Sequence, residues 1–460
     1  GFTAGAIGER GTRKIAAYMN ELAAKGYPYD MVQWRYNIVS DNGPVDSTIS
    51  DFVREWNEKY SSPRLIVSNV NDMMAEFDRK HGKQIPTWSG DFTPYWEDGA
   101  YSTAKEEGNV RVLSARLSNL IDAAKILNKP IDPHLLYRAK RSIVMWHEHT
   151  WGAWCSISDP DAHFTTDQWR VKKAFADSAG WYVERIERII SPHDPKSREL
   201  LVVNTLPWDR LGLVEVKPPA GSNIEALESD DGYRVPVQHL SNGNIAFKVY
   251  WIKANGTRLY RPVPLKPGEE VNAWLPFSSH PECDVQDGKI SFQNGVVDDQ
   301  YGRTLLRSSL KWEFINGSDP DSSSRCSFSD FARVDSGLIV ESWKVEARSN
   351  FGDSLTLVAM DHVNDLHFRF TLVKNPQRSK GAIHLKFELN LRNPLVRLGM
   401  GEDLITPEHN RMVGSNNDFF SAPRWIDVSD IVQGVTIVCP QGALWEVGEM
   451  VDERKTIPGR

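Results

Sequence analysis

The chain has 460 residues, 25% of them charged and 40% hydrophobic, which is too long for one ordinary core and too apolar for a disordered or collagenous chain. Lys and Arg number 54 against 61 Asp and Glu, a formal net charge of -7, so the basic face that polyphosphate binding needs is missing and no nucleic-acid partner is expected. No apolar run approaches the roughly 20 residues that cross a bilayer as a helix, so no membrane partner is expected, and four scattered cysteines (Cys155, Cys283, Cys326, Cys439) fit neither a zinc ribbon nor a disulfide scaffold.

Up to about residue 100 the patterns of helix and strand alternate. Gly11 to Lys25 is Ala-rich and helix-like, and Asp30 to Val39 carries the aromatic and β-branched residues of a strand. Asp46, Ser47 and Thr48 stand where a cap would open an amphipathic helix from Ile49 to Tyr60. Leu65-Ile66-Val67 reads as a short buried strand, and a helix through Met73, Met74 and Phe77 follows it. Such alternation with short turns predicts parallel βα units, about two of them, hence an α/β sheet or at most half of an α/β barrel.

Residues 104–198 predict three helices. Val110, Leu113, Leu117, Leu120, Ala124 and Leu127 recur at spacings of three and four, one face of a 3.6-residue period. A second helix runs from His134 to about His147, and a third carries Trp169, Phe175, Ala179, Val183, Ile186 and Ile190. Short connections predict antiparallel neighbours in a bundle. From residue 199 onward the chain is almost entirely β, with alternating runs such as Ile245 to Tyr250 and turns at Asn242-Gly243, Asn255-Gly256 and Asn316-Gly317. One or two antiparallel β-sandwiches are expected there, with the Ser- and Asp-rich Asp319 to Cys326 as a solvated loop.

Three segments carry residues suited to chemistry. Ser40 to Pro44 would lie at the carboxyl end of a barrel strand, where such folds place catalytic groups. Asp41 could act there as a general acid, or Asp41-Asn42-Gly43-Pro44 could be a plain turn. The run Trp146-His147-Glu148-His149-Thr150-Trp151-Gly152-Ala153-Trp154 is not the zinc-protease motif, because Trp151 stands four residues after His147. Leu136, Ile143 and His147 share a helix face, so His147 is either a satisfied core residue or a nitrogen ligand at the lip of a sugar site. The loop Trp88 to Ser102 interleaves five aromatics with acids and small residues. It could pack as an interdomain connector, or stack sugar rings and bind their hydroxyls.

Taken together, these segments resemble glycoside hydrolase family 38, the retaining, metal-dependent α-mannosidases. Gly90-Asp91-Phe92-Thr93-Pro94-Tyr95 is similar to that family's Gly-Asp-Phe-Phe-Pro-Tyr, and Trp96 to Ser102 to the segment that continues it. Ser40-Asp41-Asn42 falls where the family carries its acid/base Asp, and His147 to Gly152 resembles its zinc-ligating His-Asp-x-x-x-Gly. The junction Leu201 to Trp208 also resembles the family's.

The resemblance implies a multidomain α/β, α and β fold. Residues 1–103 would be the C-terminal part of a (β/α)7-type barrel, 104–198 a three-helix bundle completing the active site, and 199–460 antiparallel β-sandwich domains. It implies Asp41 as acid/base, His147 as a zinc ligand, and Asp91, Phe92, Tyr95, Trp96, Glu148, His149 and Trp151 as substrate-binding residues around a carbohydrate. It also implies a nucleophilic Asp and further zinc ligands well before the acid/base. Only 40 residues precede Asp41, so those groups have no counterpart here. The chain opens at Gly1 without Met or a signal segment and closes on a polar run, which predicts a piece of a longer protein and leaves localisation open. On this reading the chain alone is inactive, and a preceding segment or an N-terminal partner chain completes it. A non-catalytic glycan-binding module is the alternative.

Overall fold

A computed structural model of the chain describes residues 2–3, 9–34, 36–37, 44, 46–87, 103–148, 153–156, 158–191, 197–218, 222–265, 291–293, 296–298, 304–306, 311–316, 324–327, 331–337, 339–349, 351–362, 365–375, 381–401, 403–407, 409–410, 419–421, 424–442 and 444–448. The described residues mix helix with small sheets. No closed barrel is found among them. The chain divides into two units, Gly1–Ser89 and Gly90–Arg460.

In the first unit, α1 (Glu9–Ala24) lies between two short strands, Phe2–Thr3 and Tyr36–Asn37, which pair in parallel. α2 (Ile49–Lys59) buries Trp56, whose indole N–H donates to the Pro63 carbonyl at 2.7 Å. Asp46 accepts from both the backbone N–H and the hydroxyl of Thr48, so the turn is tied just ahead of that helix. α3 (Val70–His81) opens on Asn69, whose side chain accepts from the Asp72 N–H at 2.9 Å. This satisfies one of the donors that every helix start leaves without a partner.

Two strand expectations are corrected in this unit. Among the described residues of Asp30 to Val39, strand structure is found at Tyr36–Asn37, and residues 31–34 are irregular. Asp30 is drawn instead to α3, where it pairs with His81 at 2.7 Å. Leu65-Ile66-Val67 is neither a strand nor buried, for Ile66 is 75% exposed. The reason is local: the Asn57 side chain takes both backbone groups of Leu65, at 2.8 and 2.9 Å, in place of a neighbouring strand.

In the second unit, α4 (Ala104–Ile126), α5 (Pro133–Trp146) and α6 (His163–Ile190) pack on one core as the periodicity predicts. Val110, Leu117, Leu120 and Ala124 of α4 meet Ala139, Ile143 and Trp146 of α5 and Ala179, Val183 and Ile186 of α6. Gly108 gives α4 a close approach to the turn at Gln441, and Arg111 donates to the Pro440 carbonyl at 3.1 Å.

The strands beyond residue 199 are antiparallel. Leu200–Val203, Thr257–Val263, Ala226–Ser229 and Arg234–Pro236 form one sheet in that order. Arg210–Val216, Ile245–Ile252 and Gln238–His239 form a second, and the two share a core around Leu227, Phe247 and Tyr260. Asn204, at the exit of the first strand, donates to the carbonyls of Trp208, Ile252 and Lys253 and accepts from the Leu206 N–H. Farther on, Ala332–Asp335, Glu341–Ser349, Gly352–His362 and Asp365–Lys374 make a four-stranded meander. Asp403–Ile405, Leu395–Met400, Trp425–Ser429 and Gly434–Val438 make another sheet. The Ser- and Asp-rich stretch is corrected in part: Ser324–Ser327 is a strand, at the edge of a sheet with Lys311–Asn316 and Gly381–Lys386.

Candidate active site at the end of the helices

Of the nine residues singled out from the sequence, His147 and Glu148 are described. Asp41, Asp91, Phe92, Tyr95, Trp96, His149 and Trp151 lie outside the described residues. The site is therefore built from the end of α5.

α5 starts on a strong signal, Asp132 accepting from the His134 N–H at 2.9 Å with Pro133 in the first turn. Its buried stripe is Leu135, Ala139, Ser142, Ile143 and Trp146, and His147 closes the helix with its N–H on the Ile143 carbonyl. Trp146 is thus the last fully buried residue of the stripe. His147 sits one step around, its side chain 33% exposed.

Two residues that the sequence reading missed hold this end together. Glu107 of α4 is buried, its side chain 5% exposed, and its two oxygens are divided. Oε1 lies 3.3 Å from His147 Nδ1, and Oε2 accepts from the Trp146 indole N–H at 2.9 Å. Burial pushes the Glu107 carboxyl up, but the hydrogen bonds from His147 and Trp146 and the charge of Arg111 outweigh it and hold the group below the ordinary glutamate value. Lys172 of α6, its side chain 9% exposed, donates to the Met145 carbonyl at 3.0 Å, the Glu148 carbonyl at 2.9 Å and Glu148 Oε2 at 3.2 Å. A buried cation thus caps the carbonyl end of α5, where the helix dipole favours positive charge.

Glu107 had a legible signal. It stands three residues before Val110, in register with the buried stripe of α4, and a carboxylate on an apolar face is an exception that needs a partner. Lys172 had a similar one, three residues after Trp169 on a helix face that carries Phe175 and Ala179.

Just beyond, residues 153–156 form a turn from which Trp154 projects, 86% exposed, while Cys155 is buried against Thr165, Sγ to Oγ1 3.1 Å.

The geometry suits His147 to a ligand role, since metal-bound histidines generally present one ring nitrogen while a carboxylate or carbonyl engages the other. It does not make a metal site. Among the described residues no group of three or more His, Cys, Asp or Glu side chains is placed to hold a metal ion. One nitrogen alone cannot hold zinc at useful affinity. No family model matches the chain, and no curated protein matches it.

Proposed function

We propose that the chain is part of a zinc-dependent retaining glycoside hydrolase acting on α-mannosides or related glycosides. The observation that carries this reading is His147, a partly exposed imidazole backed by the buried Glu107 carboxylate. It stands where the resemblance to the family 38 α-mannosidases puts a zinc ligand. Under this reading residues 1–103 belong to a (β/α)7-type barrel, consistent with the parallel strand pair around α1. Residues 199–460 would form β-sandwich domains, consistent with two antiparallel sheets sharing one core.

Zinc, when bound, would hold sugar hydroxyls, with His147 as one of its donors. The other donors and the nucleophilic carboxylate would come from a preceding segment or a partner chain. This chain's own residues then do the rest. Asp41 protonates the leaving oxygen and afterwards takes a proton from the water that releases the sugar. Phe92 and Trp96 offer flat apolar surface to the ring, Asp91 and Glu148 accept from its hydroxyls, and Tyr95, His149 and Trp151 complete the lining.

The test is hydrolysis of α-mannosides by the completed protein, with and without a chelator. Cleavage that stops on chelation supports the proposal, whereas sugar binding without cleavage, indifferent to chelation, makes the protein a glycan-binding module. Asp41→Asn should lower turnover of substrates with poor leaving groups by about 10²–10⁴-fold and spare activated aryl substrates in the first step. Equal losses on both substrate types, with a matching loss of stability, would make Asp41 a structural turn residue.

A further inference from the structure

We propose that Glu107 is a positioning residue, whose carboxylate holds His147 as the Nδ1–H tautomer and leaves the ring's lone pair on Nε2. The proposal rests on the glycosidase reading for its purpose, since that reading needs a nitrogen donor at His147, but its evidence is separate.

Glu107 Oε2 is committed to the indole N–H of Trp146 at 2.9 Å, and Trp146 is itself 1% exposed. That bond holds the carboxylate in the orientation in which Oε1 faces His147 Nδ1 at 3.3 Å. An ionised carboxylate only accepts hydrogen bonds, so the ring nitrogen facing it must carry the hydrogen. In a neutral imidazole the other nitrogen then carries the lone pair. The backbone fixes the rest: His147 closes α5 with its own N–H on the Ile143 carbonyl at 3.1 Å, which sets where the ring begins. A carboxylate whose single task was to satisfy Trp146 would need one oxygen, and this one uses both. The ligand class that suits a neutral imidazole so oriented is a borderline divalent cation such as zinc.

A spectroscopic test reads the tautomer directly. In the full chain labelled with ¹⁵N-histidine, long-range ¹⁵N–¹H correlation at pH about 8, above the ordinary histidine range, reports which ring nitrogen bears the hydrogen. The signal is assigned by its loss in His147→Gln. The expected result is a protonated Nδ1 and a bare Nε2. Glu107→Gln sharpens the test. The Trp146 indole still needs an acceptor, so the amide oxygen takes that place and the NH₂ group faces Nδ1. A donor there should invert the tautomer, moving the hydrogen to Nε2, whereas a purely structural Glu107 would leave the ring unchanged. A bare Nδ1 in the wild-type chain overturns the proposal, and so does an identical His147 spectrum in a folded Glu107→Gln chain. Should that variant not fold, the wild-type spectrum alone decides. Neither measurement involves metal or sugar, so a completed protein that cleaves no mannoside would defeat the glycosidase reading and leave the tautomer result standing.

Discussion

Lys172 shows what a single buried charge does here. Its ammonium group serves two carbonyls and a carboxylate at the end of α5, and replacing it with an apolar side chain of similar length strands those acceptors. Lys172→Met should therefore destabilise the helices by about 1–3 kcal/mol, the usual cost of leaving a buried hydrogen-bonding group without its partner. The denaturation midpoint followed by far-UV circular dichroism measures this, and an unchanged midpoint would mean that water replaces the lysine. The loss should also reach His147, because Glu148 and the carbonyl it shares with Lys172 are the next link in the chain. Residue types on a helix face reveal that Glu107 and Lys172 are unusual. They do not reveal whom they pair with.

Among the elements, α4 depends on a missing side chain. A Cβ on Gly108 would sit 3.1 Å from the Gln441 Cβ and 3.3 Å from its carbonyl oxygen, tighter than ordinary contact and partly against backbone. Gly108→Val adds still more bulk, and should cost about 1–3 kcal/mol by overpacking, against which valine's somewhat higher helix propensity than glycine's returns only a few tenths of a kcal/mol. The expected sign is faster hydrogen exchange at both α4 and the strands around Leu444–Glu446, whereas loss confined to α4 would show that the added bulk does not strain the turn at Gln441.

The sheet holding Trp425–Ser429 offers a pH test of another element. Asp427 is pushed up by burial, but hydrogen bonds from Thr436, Ser429 and Arg397 outweigh that and hold it below the ordinary aspartate value. A depressed carboxyl contributes stability that is fully present above its unfolded pKa, about 3.9, and lost as the pH falls through the lower folded value. Asp427→Asn should accordingly weaken protection of this sheet at neutral pH. The gap to wild type, read by hydrogen exchange, should shrink below about pH 3.9. A gap that is constant across that range would show that packing, not charge, is what the substitution removes.

For the whole molecule, metal content is the sharpest prediction. The resemblance matches a single zinc donor in this chain, His147, so the purified chain should hold no stoichiometric zinc after dialysis, as elemental analysis would show. Tight one-to-one zinc would mean that His149, Glu148 or another group completes a different site within this chain.

The local order is legible in the residue pattern alone. α4, α5 and α6 follow from apolar residues at spacings of three and four, because a helix face must be buried and its period is a property of the backbone. The turn at Asn242-Gly243 follows equally from glycine's freedom, with Gly243 at φ 82°. Tertiary structure decided the pairings. Leu65 to Val67 has the composition of a strand, yet Asn57 claims the backbone of Leu65 and no sheet forms. Ser324–Ser327 has the composition of a loop, yet it joins a sheet edge because Lys311–Asn316 offers a ladder to pair with. Glu107 and His147 are far apart in the chain, and only the packing of α4 against α5 brings the carboxylate to the imidazole. Periodicity is written in one segment at a time, whereas a hydrogen-bond partner is chosen among all the groups that folding brings within reach.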